Sequence, residues 1–141
     1  MTGRRAWLRA LAIAPLIAVA SARAQDPRTG LVMYAAREWL ALADRNDAQA
    51  SHEKAGARFR GALDVPTWTA MLAKERVPRG EVTRRTATVT RLEKMVGGLP
   101  DGEYALVLFR TAFANKADSQ ETLTLEREAD GAWRVIGYGI Q

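Results

Sequence analysis

YALVLFRTAFA, residues 104–114, is nearly all apolar, with only Arg110 and Thr111 strongly polar within it. Alternate residues of an extended chain face opposite sides, so this run is apolar on both. Such a strand is central: covered on both sides, or covered on one and facing a partner on the other. Moving outward, Asn115-Lys116-Ala117-Asp118 reads as a turn. Glu121 to Glu128 then alternates, with Thr122, Thr124, Glu126 and Glu128 on one side and Glu121, Leu123 and Leu125 on the other. Asp130-Gly131 is a two-residue hairpin signal, and Ala132 to Gln141 is a last alternating strand. On the N-terminal side, Gly97 to Gly102 is a loop, and Glu81 to Lys94 is a threonine-rich, β-branched strand.

Before Gly80 the apolar period is helical. A linker at residues 25–30 precedes a helix over Leu31 to Asp44, with Leu31, Tyr34, Ala35, Trp39 and Leu42 near helical spacing. Asp44-Arg45-Asn46-Asp47 is a turn and cap signal before a second helix, Ala48 to Arg60, with Ala55 and Phe59 on its weak apolar face. A third helix opens at Val65-Pro66 and carries Trp68, Met71 and Leu72; Pro78-Arg79-Gly80 ends it. Three helices followed by a four-stranded antiparallel meander make an α+β fold, in which the helices pack on a cone-like sheet and a pocket can remain between them.

The 141 residues carry a formal charge of +5, one histidine and no cysteine. The missing cysteines exclude a disulfide scaffold, an iron–sulfur cluster, a thiolate nucleophile and a Cys-based zinc site. The charge belongs mostly to the leader, Met1 to Ala24, which reads as an export signal. Arg4, Arg5 and Arg9 form a basic start, Ala10 to Ala22 is an uncharged, mostly apolar run, and Ala22-Arg23-Ala24 is a small-x-small cleavage site. A helix as long as that run rises about 20 Å against a bilayer core of about 30 Å, so no stable membrane anchor is expected after cleavage. Arg4-Arg5-Ala6-Trp7-Leu8-Arg9 fits the twin-arginine pattern as well as an ordinary Sec signal, and both routes stay open. The expected product is a periplasmic or secreted single domain, residues 25–141. Without the four leader arginines it has 17 basic and 16 acidic side chains, a net charge of about +1.

The remaining charge is uneven. Lys74 to Lys94 has a surplus of +4, and Asp118 to Asp130 a surplus of −4. Thr, Val and Ala separate the arginines where a nucleic-acid surface would interleave aromatics, so no nucleic acid is expected. The bipolar sheet suits self-association, and a homodimer through it is carried as one partner state.

Several blocks together resemble a known family. They are Trp39-Leu40, Phe59, Trp68, Arg76-Val77-Pro78-Arg79-Gly80, Leu99-Pro100-Asp101-Gly102-Glu103-Tyr104, Thr111-Ala112-Phe113-Ala114-Asn115-Lys116, Glu121-Thr122-Leu123-Thr124 and Trp133-Arg134-Val135-x-Gly137-Tyr138. In this order they resemble the bacterial domain of unknown function 4019, over residues 31 to 141. The resemblance implies a small exported protein with no assigned activity, and a fold similar to the nuclear-transport-factor-2-like, cystatin-like cone. Ser51-His52 departs from the Ser-Trp expected in relatives, so the second helix is expected to pack differently.

The candidate catalytic residues are Glu121, Arg110 and Tyr138: an inward carboxylate, a cation near-diagonal from it in the next strand, and a phenol in the last strand. The structural alternative is a cross-strand ion pair worth about 0–1 kcal/mol if exposed, and it is the preferred reading. Asn115 and Lys116 in the turn and Arg134 in the last strand are the binding candidates; Arg134 can also pair with Glu126 or Glu128. His52 reads as a solvent-facing helix residue, and with no second histidine no metal site is expected. Ser51 and His52 are adjacent on a helix, about 100° apart, and form no triad. No cofactor is expected, since Gly97-Gly98 lacks the Lys-Ser/Thr of a phosphate loop. The leading expectation is non-enzymatic binding of a small ligand or a protein partner. The alternatives are a cone-fold hydrolase or isomerase using the pocket carboxylate, and a structural component of an envelope assembly.

Overall fold

The computed structural model describes residues 24–141, so the export segment lies outside the described residues except for Ala24. Four helices, α1 (Pro27–Asp44), α2 (Ala48–Lys54), α3 (Ala57–Ala62) and α4 (Val65–Glu75), precede a 3₁₀ turn at Val77–Arg79. Four strands follow: β1 (Val82–Glu93), β2 (Tyr104–Phe113), β3 (Lys116–Arg127) and β4 (Trp133–Ile140). They pair antiparallel in the order β1-β2-β3-β4, the expected meander. Among the described residues no helix is long and apolar enough to cross a membrane.

The expected linker at 25–30 is largely helix. Asp26 accepts from the Arg28 backbone N–H at 2.9 Å, and Pro27 holds the first helical position, so α1 starts there. Its buried stripe is Val32, Ala36, Trp39, Leu40 and Ala43, whereas Leu31 and Tyr34, expected on the apolar face, are 61% and 68% exposed. Trp39, the bulkiest side chain of the helix, fixes the rotation, and residues three, four and seven positions from it share its face.

The expected second helix is two. Gly56 donates its backbone N–H to Val135 O at 2.8 Å, and a Cβ there would lie 2.9 Å from Ile136 Cγ2. The chain turns extended at Ala55–Gly56 to let its backbone reach β4, then restarts as α3. Asp47 and Asp64 cap α2 and α4 by accepting from Ala50 N and Thr67 N.

The hairpins are tighter or looser than expected. Phe113 pairs with Lys116, so Ala114-Asn115 alone makes the first turn and β3 starts before Glu121. The second turn is a three-residue loop. Glu128 N bonds Ala132 O, Gly131 N bonds Glu128 O, and Gly131 takes a left-handed φ of 83°. Register shifts at Ala87/Val89 and Thr124/Leu125 mark bulges, which bend a sheet. The described helices bury their apolar side chains against one face, where Trp39, Phe59 and Trp68 meet Val107, Phe109, Leu123, Leu125 and Val135, while Arg58 of α3 reaches round to Glu126 on the other.

Candidate functional site

Glu121 is fully buried on the inner face of β3, beside Leu123 and Leu125 as its alternation requires. Its Oε1 accepts from Thr111 Oγ1 at 2.6 Å and Arg85 Nε at 2.8 Å. Its Oε2 accepts from Tyr138 OH at 2.7 Å and Arg76 Nη1 at 3.3 Å. Arg85 forks its two Nη atoms onto Asp44, each at 2.8 Å, and Arg76 Nη2 also donates to Asp44. Two carboxylates and two guanidiniums therefore close into a neutral quartet. Its members come from the end of α1, the end of α4, β1 and β3.

This closure explains the titration behaviour. Burial raises the Asp44 carboxyl, but the hydrogen bonds from Arg85 and Arg76 outweigh it and hold the group below its ordinary value. Burial pushes the Tyr138 phenol far up, the Glu121 charge adds to this, and Arg76 opposes it only in part. Arg76 is 3% exposed and lies over the Phe113 ring at 5.0 Å, and its Nε finds no hydrogen-bond partner among the described residues.

The rest of the cone interior is filled by aromatic rings. Trp39 lies 5.7 Å from Trp68 and 5.3 Å from Tyr138, and Phe59 meets Trp68 edge-on at 5.1 Å. Ser51 joins them: its hydroxyl accepts from Trp68 Nε1 at 2.8 Å, and its carbonyl from Trp39 Nε1 at 2.9 Å. At the rim, a recess of about 210 Å³ lies between α4 and the end of β4, next to Trp68 and Tyr138.

The expected partnership of Arg110 with Glu121 does not form. The register sets Arg110 opposite Gln120 and Phe109 opposite Glu121, so Arg110 points to the outer face; it is 73% exposed and pairs with Asp118 at 3.1 Å. Tyr138 does join Glu121. The sequence reading missed Arg76, Arg85, Thr111 and Asp44. Arg85 lies two residues from the core-packed Ala87, on the same face, and that spacing was the available signal.

The binding candidates divide between the two ends of β3. Asn115 donates to Pro78 O at 3.2 Å and has no left-handed φ, and Lys116 is exposed beside it. Arg134, at the far end, pairs with Glu128 and Asp130, at 2.9 and 2.7 Å. His52 is not solvent-facing as expected. It is half-buried against Phe59, with Nε2 2.6 Å from Leu63 O, because the chain doubles back at Gly56. Among the described residues no three His, Asp or Glu side chains converge as a metal site requires.

A second concavity opens outside the core. A groove of about 510 Å³ runs between α1 and the β3–β4 hairpin, walled by Leu31, Tyr34, Ala35 and Trp133 and edged by Glu38 and Lys54. Trp133 is 8% exposed, and its Nε1 finds no hydrogen-bond partner among the described residues.

The family described as "Protein of unknown function (DUF4019)" matches residues 35–138. No curated protein matches the chain. Among solved structures, ActVI-ORFA from Streptomyces Coelicolor is similar at 16% identity, over 82% of this chain and 97% of that one, with a TM-score of 0.50. That likeness concerns the fold, the cone-like α+β arrangement.

Proposed function

The chain belongs to the DUF4019 family of proteins of unknown function, and we propose that it is an exported, non-enzymatic module that binds a small amphipathic ligand in the groove between α1 and the β3–β4 hairpin. The observation that carries this reading is the saturation of Glu121. A hydrolase or isomerase of this fold needs a shielded carboxylate with a lone pair free to take a proton. Glu121 receives four donors from its own chain, two on each oxygen. Arg110, the cation assigned to help it, stands on the opposite face of the sheet.

The groove has what the interior lacks. Its volume falls within the roughly 300–1,000 Å³ of small-molecule sites. Leu31 and Tyr34, one helical turn apart, offer an apolar wall, while the acidic Glu38 and Glu53 and the basic Lys54 and Arg134 offer polar anchors of both signs. A ligand with a flat or short-chain apolar body and one polar end fits that chemistry. The export part rests on the basic, apolar and small-x-small order of residues 1–24.

The test is a thermal-shift and tryptophan-fluorescence screen of the purified protein against single-ring and short-acyl carboxylates, amines and esters. A hit should raise Tm by several degrees, through preferential binding to the folded state. It should be lost in the Leu31→Ser, Tyr34→Ser double variant without loss of fold, since both side chains are exposed. Turnover of an ester that Glu121→Gln abolishes in a still-folded protein would overturn the non-enzymatic reading. Secretion with retention of Met1 would overturn the cleaved leader.

A further inference from the structure

The described helices cover one face of the sheet, yet β2 is apolar on both. Val107 and Phe109 point into the core, and Leu106 and Leu108 point the other way, half-buried and with none of the described helices over them. The register lays out this outer face in rows across the strands. One row reads Arg91, Leu106, Thr124, Gly137, and the next reads Val89, Leu108, Thr122, Gly139. In both rows β1 and β2 carry large side chains, and β3 and β4 carry threonine and glycine. The face therefore has a raised half and a sunken half.

The two glycines are not demanded by the subunit itself. Neither has a left-handed φ; among the described residues a Cβ on Gly139 would meet nothing within 4 Å, and one on Gly137 only ordinary contacts with Thr124. Their lack of side chains keeps the surface low for something that sits on it.

We infer that this face is a homodimer interface, with the two-fold axis running along the strands between β2 and β3. That axis lays β1 over the partner's β4 and β2 over the partner's β3. Each raised position then meets a sunken one: Val89 over the partner's Gly139, Leu108 over the partner's Thr122, Leu106 over the partner's Thr124. An isologous contact needs this self-complementarity, in which residue i meets j and j meets i. Charge follows the same operation. Arg110 and Asp118, each 73% exposed, pair with each other at 3.1 Å within one subunit beside the axis. The rotation lays Arg110 over the partner's Gln120, two residues along the strand from the partner's Asp118, so each long side chain can also reach its opposite in the second copy. The face measures roughly 20 by 30 Å, from four strands at about 4.8 Å and eight residues at about 3.4 Å, so each copy offers on the order of 600 Å² before side-chain relief, against about 800 Å² per partner in a standard interface. The crossing angle of about 30° that is common in stacked twisted sheets preserves these pairings near the axis.

The experiment is sedimentation and light scattering of the purified protein from about 1 to 100 µM, a range that detects dimers of ordinary affinity. The protein should run as a dimer, and Gly139→Arg should weaken association at least tenfold while the circular dichroism stays native. Arg110→Asp and Asp118→Arg should each weaken the dimer, and mixing those two variants should restore it, because opposite charges then meet only between subunits. A protein that stays monomeric at 100 µM overturns the proposal, including one whose face takes a different protein. So does a dimer that survives Gly139→Arg, or a mixture that fails to restore association.

Discussion

Tyr138 holds Glu121 from the neighbouring strand, its phenol hydroxyl 2.7 Å from Oε2. The bond spans β4 to β3, where Arg76 Nη1 reaches both groups at 3.3 Å. Because burial first and the Glu121 charge second hold the phenol protonated, this donor persists above the pH at which a free phenol ionises.

An alkaline limb in stability follows from this pair. The folded phenol titrates above its ordinary value, while in the unfolded chain it ionises near pH 10. The Tyr138 contribution is therefore complete below about pH 10 and is lost as pH rises beyond it. Urea unfolding of wild type and Tyr138→Phe at pH 8 to 11 should show the wild type losing stability more steeply; parallel curves would remove the argument.

Arg85 and Arg110, two arginines on adjacent strands, should respond very unequally to truncation. Arg110→Ala removes an exposed pair and should change stability by less than about 1 kcal/mol. Arg85→Ala strips one cation from two carboxylates, one of them fully buried, and should cost about 3–5 kcal/mol. Equal losses in denaturant titrations would show that burial does not govern the difference.

The contrast also separates what local sequence decides from what only the tertiary fold decides. The four-strand meander, the inward direction of Glu121 and the burial of Trp39, Trp68 and Phe59 follow from local period and turn chemistry. The partners of Glu121 do not, because Arg76 arrives from a helix end 45 positions away and Arg85 from 36. A turn at 115–118 brought Arg110 near-diagonal to Glu121, and the tighter turn at Ala114-Asn115 shifts the register so that Phe109 stands opposite Glu121 and Arg110 faces the other side. The break at Gly56 was equally hidden, since its cause is the approach of Val135 on β4, the last strand of the chain.

Acid should weaken the quartet through Asp44. Its folded carboxyl lies below the ordinary value, so its contribution is complete above about pH 4 and is lost as pH falls through the lower, folded value. Asp44→Asn should flatten the acid limb of a stability profile between pH 2 and 5. It should also cost about 2–4 kcal/mol at pH 7, where it leaves two guanidiniums short of a partner. An unchanged acid limb in the variant would rule Asp44 out as its source.

Gly56→Ala tests the helix break. The new methyl would sit 2.9 Å from Ile136 Cγ2 and 3.3 Å from Arg134 Cβ, and α3 would have to lift from β4. Overpacking of this kind costs about 1–3 kcal/mol. At exposed Gly61, where a Cβ meets nothing within 4 Å, the same change in a helix should stabilise by up to about 1 kcal/mol. Thermal unfolding of the two variants should bracket the wild type, and a stabilised Gly56→Ala would refute the close approach.

Ser51 is the hinge between two tryptophans, and its removal should separate their two bonds. Ser51→Ala deletes the hydroxyl that accepts from Trp68 Nε1 but keeps the carbonyl that accepts from Trp39 Nε1. It also deletes the hydroxyl's own donation to Asp47 O at 2.6 Å, which ties α2 to its cap. A buried indole N–H left without an acceptor costs about 1–3 kcal/mol, more than the small gain in helix propensity at an interior position. Indole N–H signals in NMR should show one resonance moving strongly, that of Trp68, with Trp39 nearly still. Equal movement of both would mean that the serine positions the aromatic cluster as a unit rather than through its hydroxyl.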